Sequence, residues 1–303
     1  MSSTEIRYAD YLGWTFVPAV VASAIFVATD LILLFNLVRC KTRPARPTFY
    51  IMIAWATFRA AGMISRALLT TDAFASNLGL LITAEVLMSV ALLPLVRTLS
   101  ANLVRVNKSI IHLKHGHGQN QGQGQASASH RVNSLGRREL GKLDRIQGAS
   151  SILLFIIITA LITGAVWILN TPPGVPVDPT ATTLRLAGSW GIAVFTWIQF
   201  AVCGWTLLEA LRLPRPAQSG SYVVANSSIL VLQVVMLIVR TGYGLYSNGA
   251  VGTAPAVIPE ATFYVLSLLP ELVYASPFLM PRQVEKLEPA SDETEKQADT
   301  SNI

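Results

Sequence analysis

Six ionisable side chains stand inside long apolar runs of this sequence: Asp30, Arg59, Arg66, Glu85, Arg240 and Glu271. In hydrocarbon such a group costs at least ~2.5–3.5 kcal/mol at the centre of a spanning helix, so it turns inward and pairs. With three acids against three bases, two readings stand. One is a polar pocket or proton-coupled path at mid-membrane. The other, given more weight, is a set of interhelical ion pairs that fix helix order, because charge balance already answers the membrane cost. Arg59 and Arg66 are spaced i, i+7 and share one helix face.

Depth along the expected helices, at ~1.5 Å per residue, sorts the six. Asp30 and Arg59 fall roughly 13–15 Å from the inner face by that measure. Glu271 falls near mid-depth, and Glu85, Arg66 and Arg240 fall in the outer half. The expected pairs are Asp30 with Arg59, and Glu85 with Arg66 or Arg240. Glu271 is left without an obvious partner, and Pro270 beside it disturbs the helix and frees a backbone carbonyl. Glu271 is therefore the first choice for a functional role.

The elements that must position these groups are helices apolar on all sides. The chain is 52% hydrophobic and only 13% charged, against roughly 25% charged in an ordinary soluble domain. A spanning helix needs about 20 mostly apolar residues, and seven segments qualify: approximately 12–38, 49–69, 77–96, 150–169, 186–211, 222–246 and 260–280. The fold class expected is all-α, a seven-transmembrane-helix bundle over 12–280. Prolines at 44 and 47, at 172, 173, 176 and 179, and at 214 and 216 punctuate the connections. Basic residues crowd the odd-numbered connections: Arg39, Lys41, Arg43 and Arg46, then Arg97 to Arg145, then Arg212 and Arg215. The even connections hold Asp72, then Asp178 with Arg185, then no basic residue. This alternation places the N-terminus, residues 1–11, outside and the C-terminus in the cytosol. No basic n-region of a cleavable signal is read at the start. Residues 112–145 read as a disordered cytosolic loop around a Gly/Gln-rich stretch, and 281–303 as a disordered cytosolic tail. The sequons at Asn107 and Asn226 fall on the cytosolic side and should carry no glycan.

Other chemistry is thin. His112, His115 and His117 have a spacing that can hold zinc, but they open a polar low-complexity tract and read as a solvated loop. All four histidines lie in that one loop, which argues against an intramembrane haem pair or zinc centre. The last segment has no lysine for a retinal Schiff base. No nucleophile elbow, P-loop or dinucleotide fingerprint occurs in the required context. The reading is no enzyme, no cofactor and no metal. Net charge is +6, but the basic residues flank apolar segments, so the bilayer and anionic inner-leaflet lipids are the expected partners rather than nucleic acid. A cytosolic protein partner for the basic third connection is the second option. Cys40 and Cys203 are expected to form no disulfide. Ala160 and Gly164 form a small-residue pattern suited to close helix packing within the chain.

Several stretches carry a resemblance. Phe58-Arg59-Ala60-Ala61-Gly62, Leu92-Leu93-Pro94-Leu95, the run from Leu103 through Arg105, Val106, Asn107 and Ser109 to Ile110, and Leu269-Pro270-Glu271 together resemble a group of fungal multi-pass membrane proteins known only as a domain of unknown function. The general layout is also similar to fungal lipid-translocating exporters. The resemblance implies a seven-helix layout and a fungal source, and it brings no activity. Two functions are carried forward. The first is a receptor-like or sensor protein whose ligand reaches an outer pocket near Glu85, Arg66 and Arg240. The alternative is a lipid or small-molecule translocator using Asp30, Arg59 and Glu271 along a path. The helix lengths suit the plasma membrane or an endomembrane.

Overall fold

A computed structural model describes residues 7–40, 45–116, 126–171, 175–213, 219–250 and 259–280, and every regular element among them is helical. A short α1 (Tyr8–Leu12) turns at Gly13, whose φ of 66° is left-handed, a conformation glycine adopts without a Cβ penalty. Then follow α2 (Phe16–Arg39), α3 (Arg46–Leu69), α4 (Leu78–Val90), α5 (Leu92–Gly116), α6 (Ala126–Leu169), α7 (Pro179–Arg212) and α8 (Ser219–Ala250). The last helix is composite: α9 (Glu260–Phe263), a π-helical turn (Tyr264–Leu268) and α10 (Leu269–Leu279).

Local chemistry sets the ends. The Asn77 side chain accepts the Leu80 N–H at 2.9 Å, and that of Asp178 accepts the Thr180 N–H at 2.7 Å, each covering an N-terminal donor that the helix cannot. Pro94 has no N–H to offer Val90, and α4 stops there, one residue before α5 resumes. Pro270 likewise cannot bond four residues back, and the π turn directly precedes it. Further along α10, Pro277 leaves the Val273 carbonyl without its usual donor, and the Ser276 hydroxyl bonds it at 2.8 Å.

Among the described residues six stretches are long and apolar enough to cross a membrane: Phe16–Arg39, Leu78–Ile111, Gly148–Leu169, Pro179–Arg212, Tyr222–Gly249 and Glu260–Leu279. The chain is thus all-helical and compatible with a multi-pass membrane protein. The expected second segment, 49–69, lies in α3, which has 24 residues but is not one of the six. Its apolar character is diluted by Arg59 and Arg66, both buried against its neighbours. The outer surface of the bundle is lined with large apolar side chains, among them Val17, Leu31, Phe35, Ile152, Phe155, Trp197 and Trp205.

The helices run alternately between two ends. At one, Arg7 pairs with Asp72 at 2.8 Å and Thr15 bonds Glu260. At the other, Arg105 donates to Thr48 at 2.8 Å and Asn36 donates to the Phe278 carbonyl at 3.2 Å. These are called below the Trp14 end and the Arg105 end.

Two expectations about boundaries change. The polar composition of 112–145 predicts a disordered loop; among the described residues α5 continues through Gly116 and α6 begins at Ala126. The run from Arg137 to Arg145 is rich in good helix formers (Arg, Glu, Leu, Lys), and propensity prevails there over the polar composition. Arg185 was placed in a connection, yet it lies within α7, which starts at Pro179 behind its Asp178 cap. Residues 1–6, and the tail read as disordered, 281–303, lie outside the described residues. So does His117, while α5 contains His112 and His115, and α6 contains His130.

The small-residue pattern finds its use between α6 and α7. A Cβ on Gly164 would meet the Ala181 carbonyl oxygen at 2.8 Å, and one on Gly188 would meet the Leu161 backbone nitrogen at 2.7 Å. Both obstacles are backbone, which cannot rotate away. Gly188→Leu is expected to destabilise the chain by about 1–3 kcal/mol or more through overpacking, read as a lower melting temperature in detergent, whereas Gly204→Ala, at a site with nothing within 4 Å, should change it little.

Candidate functional site

The buried stripe of α3 runs through Met52, Trp55, Ala56, Arg59, Ala60, Met63, Arg66 and Ala67, the three-and-four spacing of one helix face. Two arginines on that stripe enter the bundle at different heights. On α10 the matching stripe carries Pro270, Glu271, Tyr274 and Phe278. From α8 come Leu237, Arg240 and Thr241.

These three stripes converge on one carboxylate. Arg59 donates from Nε to Glu271 Oε2 at 2.5 Å and from Nη2 to Oε1, a two-point fork. Arg240 Nε donates to Glu271 Oε1 at 2.8 Å, and Trp55 Nε1 donates to Oε2 at 3.0 Å. A carboxylate has about four acceptor sites, so Glu271 is saturated by these four N–H groups. Arg59 and Glu271 are completely buried. Arg59 Nη1 reaches the Met88 sulfur at 3.1 Å, and Trp55 meets Phe26 edge-to-face at 5.6 Å. One ion triad thus ties α3, α8 and α10, with α2 and α4 packed on its rim.

The arrangement corrects two expectations. Asp30 does not pair with Arg59. Its Oδ2 accepts from Thr57 Oγ1 at 3.1 Å, on the outward side of α3. The buried stripe of α2 passes through Phe26, Thr29, Leu33 and Asn36, and Asp30 sits just off it. Glu271, expected to lack a partner, is instead the acceptor for both Arg59 and Arg240. Arg240 accordingly goes to Glu271 and not to Glu85.

Arg66 and Glu85 do come together, but loosely, with Arg66 Nη2 at 3.8 Å from Glu85 Oε1. The Arg66 guanidinium carbon lies over two rings, 4.0 Å from the centroid of Trp14 and 4.1 Å from that of Phe263, a favourable cation–π arrangement. Arg185, missed in the sequence because it was assigned to a connection, also lies within electrostatic reach of Glu85. A helix start drawn at the Asp178-Pro179 cap would have brought it in. Glu260, the first residue of α9, is already engaged. Its Oε2 accepts from the Thr15 N–H at 3.1 Å and the Thr15 hydroxyl at 2.5 Å, and its Oε1 accepts from Tyr264 at 2.9 Å.

Towards the Arg105 end, polar side chains bridge helices. Tyr274 donates to the Leu95 carbonyl at 2.7 Å, Gln199 to Ser100 at 2.6 Å, Thr206 to Asn107 at 3.2 Å and Gln233 to the Tyr274 carbonyl at 3.2 Å. No group of three or more metal-ligating side chains occurs among the described residues.

Fold and site together define a multi-helix bundle of membrane-compatible composition, organised around a buried Arg–Glu–Arg triad. No family model matches the chain, and no curated protein and no solved structure matches it.

Proposed function

We propose that the chain is a seven-span integral membrane protein of the receptor or sensor kind, with the Trp14 end outside, the Arg105 end in the cytosol, and its stimulus received at the Trp14 end. Here α3 counts as the seventh span, because a helix that buries its arginines against its neighbours can show lipid its apolar side. The orientation rests on Arg39, Arg46, Arg105, Lys108, Arg145 and Arg212 gathering towards the Arg105 end. Those residues are also the proposed contact with anionic inner-leaflet lipid, each contributing about 1 kcal/mol near the surface. Membership of the fungal group that the sequence resembles belongs to the same proposal.

The observation that carries the sensor reading is a partly exposed charged cluster at the Trp14 end. Arg66 Nε is buried without a hydrogen bond among the described residues, Arg66 Nη2 stands 3.8 Å from Glu85 Oε1, and the Glu85 side chain is 28% exposed. A charged cluster reaching the surface at the outer end suits reception better than passage, which needs a polar path from end to end. The translocator alternative needs Asp30, Arg59 and Glu271 along one path. Asp30 sits on the other side of α3, and the Glu271 oxygens are fully engaged.

Cysteine accessibility tests the proposal. Val175 and Arg145 are both exposed, and the two native thiols are buried. Val175→Cys is expected to react with an impermeant maleimide in sealed cells, and Arg145→Cys only after permeabilisation. The reverse pattern would overturn the orientation, and equal labelling of both in sealed cells would overturn the spanning arrangement. Signalling further requires that Arg66→Gln change the labelling rate of Arg145→Cys after permeabilisation by at least roughly twofold, a change of about 0.4 kcal/mol in exposure. An unchanged rate contradicts a sensor.

A further inference from the structure

Residues 7–15 fold back over the Trp14 end and are fastened at both of their own ends. The five-residue α1 turns at Gly13, and the Trp14 N–H donates to the Ala9 carbonyl at 2.8 Å. At the start, the Tyr8 N–H donates to the Ala75 carbonyl at 2.9 Å and Arg7 pairs with Asp72 at 2.8 Å. Both partners belong to the connection between α3 and α4. At the finish, the N–H and the hydroxyl of Thr15 share Glu260 Oε2, at 3.1 Å and 2.5 Å, while Glu260 Oε1 accepts from the Tyr264 hydroxyl at 2.9 Å. Arg66 meets the same two segments, with its guanidinium carbon over the rings of Trp14 and Phe263. Glu260 thus joins residues 15 and 264, and Arg66 meets residues 14 and 263. With those two rings against it, the Arg66 side chain is only 9% exposed, although it stands in the last turn of α3.

We infer that residues 7–15 are a strap that closes the Trp14 end over Arg66, and that undoing the Thr15–Glu260 clasp uncovers this arginine. The strap is built to open before the bundle does. Five helical residues do not hold as a helix on their own. Both Thr15 bonds to Glu260 are exposed, and the Arg7 and Asp72 side chains are 48% and 91% exposed. Exposed ion pairs of that kind contribute little in water. Among the described residues of the strap only Ala9 is buried. A segment with few buried apolar contacts and solvent-exposed hydrogen bonds opens locally, well below the free energy of global unfolding. The Glu271 triad is the opposite case, with Arg59 and Glu271 completely buried. The shortest fastening of the strap is the Thr15 hydroxyl on the Glu260 carboxylate, a charge-assisted bond. Once it is lost, Trp14 is free to leave Arg66, which keeps the Phe263 ring and Glu85 at 3.8 Å. The strap therefore sets how often the charged cluster is open to the outer medium. It deepens the sensor reading by supplying the regulation of that site, and it rests on that reading for the cluster's outward exposure.

Phenylglyoxal, which adds to guanidinium groups, reads the strap directly. The full chain purified in detergent is treated under native conditions, and the modification of each arginine is followed by peptide mass spectrometry. In the parent, Arg66 is expected to react far more slowly than Arg212, whose side chain is 69% exposed, and the completely buried Arg59 is expected to stay unmodified. Thr15→Val removes the hydroxyl bond and leaves the Glu260 charge in place. It should speed the modification of Arg66 roughly tenfold or more, as loss of a hydrogen bond to a charged acceptor implies for a local opening, with Arg59 unchanged. Glu260→Gln should speed it at least as much, but it also removes a charge that acts on Arg66, so Thr15→Val is the deciding variant. An Arg66 rate that Thr15→Val leaves unchanged overturns the proposal. So does an Arg59 rate that rises in step, since the clasp would then hold the whole bundle, and so does a parent in which Arg66 reacts as fast as Arg212. The measurement needs neither the orientation nor transmission to Arg145, so the strap and the sensor reading can fail separately.

Discussion

Glu271→Gln is expected to destabilise the protein by about 3–5 kcal/mol, the range for removing one partner of a buried ion pair. The carboxylate accepts from Arg59, Arg240 and Trp55. An amide offers one oxygen and turns an NH2 group towards donors. Two guanidiniums are then left in the bundle without their counter-charge. Total stability is commonly only ~5–15 kcal/mol, so the variant should lose its monodisperse peak in detergent at temperatures where the parent keeps it. A Glu271→Gln protein that melts with the parent would mean that the triad holds nothing together.

The second large effect is at Trp55, which is completely buried. Trp55→Ala should cost about 3–5 kcal/mol by opening a cavity where α2, α3 and α10 meet. Trp55→Phe should cost less, about 1–2 kcal/mol, because it keeps most of the packing on Phe26 and removes only one of the four donors to Glu271. Melting temperatures of the two variants rank the contributions of volume and hydrogen bonding. Equal losses would assign the role to the indole N–H alone.

The apolar runs made the helices legible, because length and hydropathy are properties of the sequence itself. So was the burial of Arg59, Arg66, Arg240 and Glu271, since hydrocarbon leaves charges few other places to go. What failed was azimuth. Depth arithmetic placed Asp30 and Arg59 at one height, but height is only one coordinate. The phase of α2, with Phe26, Thr29, Leu33 and Asn36 inward, puts Asp30 at the edge of the stripe, and that phase could have been read from the three-and-four spacing. The partners of Glu271 were harder. They require knowing that α8 and α3 both flank α10, a matter of helix order that no local pattern encodes. Pro270 was read correctly as a disturbance, and the π turn before it is the form that disturbance takes. Arg185 was lost to a boundary drawn seven residues late.

The triad also accounts for the surroundings of Arg66. With Glu271 saturated, the middle of the bundle has no carboxylate left for Arg66, which lies two turns up the same face of α3 from Arg59. Arg66 therefore turns to the Trp14 and Phe263 rings and to Glu85.

A double-mutant cycle between Arg59 and Glu271 is the most direct measurement. With Arg59→Met and Glu271→Gln made singly and together, the account predicts a double variant much less destabilised than the sum of the singles, with a coupling of about 2–3 kcal/mol. Losses that add within about 0.5 kcal/mol, as they do for independent sites, would contradict it.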